Sequence, residues 1–135
     1  MKPALLLVLT VGLFALQGCK KDDNPDASLT GSWEMTAYGT DVNKNGAIDA
    51  SERKTLDSGE YAYLNITQSF ITDSFLIDGS GISFSFLYTR QGNQIYLSGL
   101  VGSEPYAVIK TLNPTSLDIG TGDTTGELWR FYTRQ

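Results

Sequence analysis

The feature that most constrains this chain is strict two-residue alternation, clearest over residues 82–89. There Ile82, Phe84, Phe86 and Tyr88 share one face, and Ser83, Ser85 and Leu87 share the other. Only an extended strand divides side chains this way, because successive residues leave opposite sides of the backbone. Residues 30–38 set Trp33, Met35 and Ala37 against Glu34, Thr36 and Tyr38. Residues 60–67 set Ala62, Leu64 and Ile66 against Tyr61, Tyr63 and Asn65. Residues 127–134 set Trp129, Phe131 and Thr133 against Leu128, Arg130 and Tyr132. Further strands are expected at 69–77, 94–100, 105–112 and 116–119, punctuated by turn residues such as Asp78, Gly79, Gly92, Asn93, Asn113 and Pro114. A helical turn is expected at 51–56, and a Gly-rich connection over 120–126.

Eight short strands joined by tight turns, with no helical crossovers, predict an all-β antiparallel fold, a sandwich or a barrel. Eight strands suit a small up-and-down barrel whose interior is filled by side chains or leaves one pocket. At 135 residues, with fourteen glycines, seven tyrosines and six phenylalanines, one turn-rich β domain is expected, spanning 29–135.

Composition narrows the chemistry. The chain has no histidine, which removes the commonest general base and transition-metal ligand. A formal charge of −5, without a basic cluster in the body, argues against a nucleic-acid partner. There is no Gly-x-Ser-x-Gly elbow and no phosphate loop. Asp73, Asp78, Asp118 and Asp123 are read as turn formers and strand-end caps, so the chain is not expected to be an enzyme.

Residues 41–52 match the twelve-residue calcium loop D-x-[DN]-x-[DN]-G-x₅-E. Asp41, Asn43 and Asn45 offer side-chain oxygens at positions one, three and five; Gly46 makes the sharp turn and Ala47 offers its carbonyl. Asp49 would act through water and Glu52 with two oxygens. Neutral asparagines, with Lys44, Arg53 and Lys54 nearby, predict weak binding of a structural calcium ion, in the range of roughly 10⁻⁴–10⁻³ M. The alternative is a polar Asn-Gly surface turn that binds nothing.

At the N-terminus, Lys2 precedes an apolar run over residues 4–16, too short to cross a bilayer comfortably. It ends in Leu16, Gln17, Gly18 and Cys19, which resembles the lipobox of bacterial lipoproteins, and Cys19 is the only cysteine. The resemblance implies a signal peptide over 1–18, diacylglycerol on the Cys19 sulfur, N-acylation, and a polar tether over 19–28. With no aspartate after Cys19, the expected address is the outer membrane, facing the periplasm or the surface.

Gly31, Ser32 and Trp33 resemble the Gly-x-Trp signature of lipocalins, and residues 128–134 resemble the closing strand of small lipocalin-like lipoproteins. The resemblance implies that an arginine from the last strand, Arg134 or Arg130, packs over Trp33 and fastens the barrel shut. It also implies a small apolar ligand inside, with Tyr61, Tyr63, Phe70, Phe84, Phe86, Tyr88 and Tyr96 as candidate lining. The alternative is a protein-interaction module with a filled barrel, whose partner the sequence does not name.

Overall fold

The computed structural model describes residues 28–77, 79–99, 104–122 and 126–135. The apolar run, Cys19 and the tether, and also Asp78 and Asp123, lie outside the described residues. The strands are β1 (Gly31–Asp41), β2 (Arg53–Thr55), β3 (Tyr61–Ile66), β4 (Phe70–Ile77), β5 (Ser80–Gln91), β6 (Gln94–Leu97), β7 (Ala107–Leu112), β8 (Ser116–Gly122) and β9 (Glu127–Arg134). Every pairing is antiparallel between neighbours, and β1 also pairs with β9 from Trp33↔Arg134 to Asp41↔Glu127. The sheet therefore closes into a barrel of eight long strands, with β2 as a short flap.

Residues 51–56, expected as a helical turn, instead give β2, which pairs with Ala37, Tyr38 and Gly39 on the edge of β1 that β3 leaves free. An unfilled ladder edge outweighs a weak local helical preference. The Gly-rich connection is also shorter than expected, because Gly120, Thr121 and Gly122 continue β8 against Trp129, Leu128 and Glu127.

β1 departs from simple alternation. Its register against β9 slips between Met35 and Ala37, so Thr36 is the extra residue of a bulge. One extra residue exchanges the two faces of everything that follows. Trp33 and Met35 join the barrel core, while Tyr38 replaces Ala37 as the inward residue. Ala37, Gly39 and Asp41 turn outward, and they are buried because the 42–56 segment folds over them. Arg53 stacks on outward Phe131 at 4.0 Å, and Ile48 packs against Gly39, where a Cβ would stand only 2.8 Å from its methyl group.

Strand directions define two ends. The closed end holds residues 28–30, the turns after β3, β5 and β7, and the C-terminus; below mid-height the lumen is filled by Trp33, Leu64, Ile66, Ile71, Ile95, Leu97, Leu117 and Tyr132. Trp33 is fully buried and donates from Nε1 to the Leu29 carbonyl at 2.9 Å. The Arg134 guanidinium lies 4.1 Å from the Trp33 ring centroid. It also donates to the carbonyls of Pro114 (2.7 Å), Thr30 (3.0 Å) and Ser28 (2.5 Å). Gly31 is required here: its φ is +150°, and a Cβ would stand 2.5 Å from Arg134 Nη1. Of the two arginines expected to close the barrel, Arg134 takes the indole and Arg130 points elsewhere.

One cation thus joins the first strand, the last strand and the β7–β8 turn. Arg134→Ala should lower the unfolding free energy by about 2 kcal/mol, and Arg134→Lys should recover only part of it, because an ammonium keeps the ring contact but not the three-carbonyl fork. Urea titration of the two variants measures both.

Candidate functional site

Above mid-height the barrel is not filled. A cavity of about 500 Å³ opens there, with Met35, Tyr38, Ala62, Phe75 and Leu128 among its walls. Two features leave the space. Ala62 is the inward residue of β3 nearest the mouth, and its side chain is small. The charged side chains at that level, Asp73 and Arg130, are held to one another.

Asp73 and Arg130 form that arrangement. Asp73 follows Ile71 on the inward face of β4, and Arg130 lies between Leu128 and Tyr132 on the inward face of β9. Their strands are separated by β3 and β1, so the ion pair crosses the lumen, with Arg130 Nη1 donating to Asp73 Oδ2 at 2.7 Å. The Tyr106 hydroxyl stands 3.5 Å from both Asp73 Oδ2 and Arg130 Nη2. Asp73 is 7% exposed, so a carboxylate without its partner would carry a heavy desolvation penalty. Burial opposes the charge of Arg130, but Tyr132, Tyr106 and Asp73 more than offset this and push its pKa above the usual guanidinium value. Burial likewise pushes the Tyr132 hydroxyl up, although Arg130 pulls against it. Among the described residues Tyr132 Oη is buried without a hydrogen bond of good geometry, with Arg130 as its nearest charged neighbour in electrostatic effect.

The mouth is aromatic. Phe84 lies 6.4 Å from Phe75 and 6.2 Å from Phe86 between ring centroids, and all three line the cavity. Phe84 remains 46% exposed. β5 explains why: residues 80–87 pair with β4, but only Tyr88, Thr89, Arg90 and Gln91 pair with β6. β6 in turn meets β7 through only two residue pairs. Among the described residues the wall is thinnest beside this aromatic lip.

The seven aromatics expected to line a ligand site divide. Phe84 and Phe86 line the cavity, and Tyr88 packs against the core. Tyr61 and Tyr63 lie outside, because Ala62, Leu64 and Ile66 take the inward face of β3. Phe70 points outward for the same reason beside inward Ile71, and Tyr96 beside Ile95 and Leu97. Large residues at period two identified strands but not which face was inward. Asp73, expected as a solvated cap, is the main correction: it is mid-strand and internal. Arg130 in register with Leu128 and Tyr132 was the available signal, since an inward arginine demands an inward carboxylate. Asp118 lies on β8 opposite Phe131, half-buried, and burial pushes its carboxyl up despite Thr111 and Arg53.

The 41–52 loop stands at the same end as the cavity mouth. Asp41 is buried, and its two oxygens accept from Asn45 N (3.0 Å) and Gly46 N (2.8 Å). Lys44 and Gly46 carry φ of 57° and 81°, which wind the loop back on itself. The Asn43 and Asn45 amides both donate to Asp49 Oδ2, at 2.9 and 3.3 Å. Glu52 accepts from Val42 N and Asp49 N, each at 3.0 Å. Among the described residues no three His, Cys, Asp or Glu side chains form a ready metal cluster. The loop winds back on itself, and Glu52 is satisfied by backbone amides.

The barrel is closed and up-and-down, with Trp33 of the first strand beneath Arg134 of the last. No protein-family model and no curated protein matches the sequence. One similar solved structure bears the description "The Siderocalin Ex-FABP functions through dual ligand specificities". It is 10% identical, with a TM-score of 0.42 over 78% of this chain and 69% of that one.

Proposed function

We propose that this chain is a binding module for one small, largely apolar ligand held inside the barrel, tethered to the outer membrane by lipid on Cys19. The observation that carries the reading is the cavity of about 500 Å³, apolar except for one polar cluster. Ligand sites have this size and make-up, mostly hydrophobic walls with a few placed polar groups. The protein-interaction alternative rested on a filled barrel, and the upper half of this lumen is open. Titration with N-phenyl-1-naphthylamine, a neutral fluorophore, should give saturable enhancement at one probe per chain. Ala62→Phe, which fills the lumen, should abolish it; a wild-type protein that gives no saturable signal rejects the reading.

The lipid anchor is supported by the lipobox-like residues 16–19 and the solitary thiol. Acyl chains contribute about 0.8 kcal/mol per buried methylene, enough for stable anchoring when several are present. Cys19→Ser should move the protein from the membrane to the soluble fraction on cell fractionation; unchanged partitioning would remove the anchor.

The same proposal includes a weak structural calcium ion on the 41–52 loop. The donors fit: Asp41, Asn43, Asn45, the Ala47 carbonyl, Asp49 and Glu52 are all hard oxygens, and Asp41 already sits on the Gly46 amide. Bound calcium would supply positive charge that draws these oxygens together and stiffens the cavity mouth. Glu52 must leave its backbone amides to join, a cost consistent with weak affinity. At tenfold excess over Kd the ion should add about 1.4 kcal/mol of stability, seen as a rise in Tm, and Asp41→Ala should remove the increment. A Tm indifferent to millimolar calcium leaves the loop a simple turn.

A further inference from the structure

We infer that the ligand is an uncharged amphiphile, entering polar end first and placing a hydroxyl or similar donor–acceptor group on the Asp73–Arg130–Tyr106 cluster. This rests on the ligand-binding reading above. Three observations carry it. The cluster lies at the floor of the cavity: Asp73 stands opposite Leu64, and Arg130 opposite Tyr38 and Ile119, at mid-height, with packed core below. The aromatic lip of Phe75, Phe84 and Phe86 lines the cavity with the apolar surface that a tail would cover.

The third observation is charge. Among the described residues the cationic and anionic groups lining the cavity are Arg130 and Asp73, and they face each other at 2.7 Å. An entering carboxylate would approach Arg130 beside Asp73 and meet a like charge in a poorly solvated space. An entering ammonium would meet Arg130 in the same way. A neutral hydroxyl meets neither obstacle. The ion pair is single-point rather than a two-bond fork, because Asp73 contributes Oδ2 alone to Nη1. Asp73 Oδ1 has no hydrogen bond among the described residues, so the cluster offers an acceptor beside the guanidinium and the Tyr106 hydroxyl. A hydroxyl both donates and accepts, and matches that pairing.

Displacement of bound N-phenyl-1-naphthylamine by three competitors built on a ten-carbon chain, at pH 7.5, tests the inference on the full chain. 1-Decanol should displace the probe at a concentration on the order of tenfold lower than decanoate, and lower than decyl methyl ether, which is more apolar but cannot donate. Asp73→Asn leaves Arg130 with a neutral partner, and should reverse the order so that decanoate competes best. If that variant does not fold, the wild-type ranking still decides. Decanoate matching decanol on the wild-type protein, the ether matching decanol, or a folded Asp73→Asn protein with unchanged ranking would each overturn the head-group assignment while leaving the ligand site intact. Absence of probe binding would overturn the ligand-binding reading itself, and this inference with it.

Discussion

The pairing of β1 with β9 is the constraint from which the other features follow. Without it the sheet would be open, with two unpaired edges and an apolar face in water. With it, the inward residues of eight strands share one lumen, and every inward choice is made against all the others. The pairing begins at Trp33↔Arg134, the two residues that also stack through ring and guanidinium. Backbone ladder and side-chain clasp therefore act at the same level of the barrel. The clasp seals the end where the large aliphatic residues converge, and the opposite end is left to Ala62, Tyr38 and the aromatic lip.

The bulge at Thr36 links this closure to the loop that follows. Had β1 kept its alternation, Tyr38 would lie on the surface and Ala37, Gly39 and Asp41 would enter the lumen. The extra residue instead gives the cavity a tyrosine wall and turns small residues outward, where Ile48 and the Arg53–Phe131 stack can press the 42–56 segment against the barrel. Asp41 is then both the end of a strand and the first residue of the 41–52 loop. Its carboxylate is aimed by the barrel rather than by a preceding helix.

Much of this was legible in the sequence, and the failures share a cause. Alternation located the strands, and the turn residues at 92–93 and 113–114 set the hairpins, because both signals are local. Gly31, Ser32 and Trp33, with a late arginine, pointed to the closure but left Arg130 and Arg134 as equals; only the register decides that Arg134 meets the indole. The face of each strand was the harder question. Tyr61 and Tyr63 carry more apolar surface than Ala62 and Leu64, yet the smaller pair is internal, since eight inward faces have limited room at each level. Asp73 looked like a solvated polar residue because its partner lies 57 positions away, across the lumen.

That ion pair also explains why the lumen stays open where it does. Replacing a buried pair by apolar residues of similar volume is often neutral or stabilising, so stability alone gives little reason to keep charges inside a barrel. A pair held across the lumen has a different consequence. It fixes two long side chains in one arrangement and sets a polar floor over the packed half. It also prevents the upper half from collapsing into a continuous apolar core. Tyr132, buried beneath beside Arg130, and Tyr106, reaching in from just before β7, complete a layer that contributes polarity rather than filling volume. A sequence selected only for a filled barrel would place leucine or isoleucine at these inward positions, as it does at the register partners Leu64 and Ile119 and at Ile71 one step below.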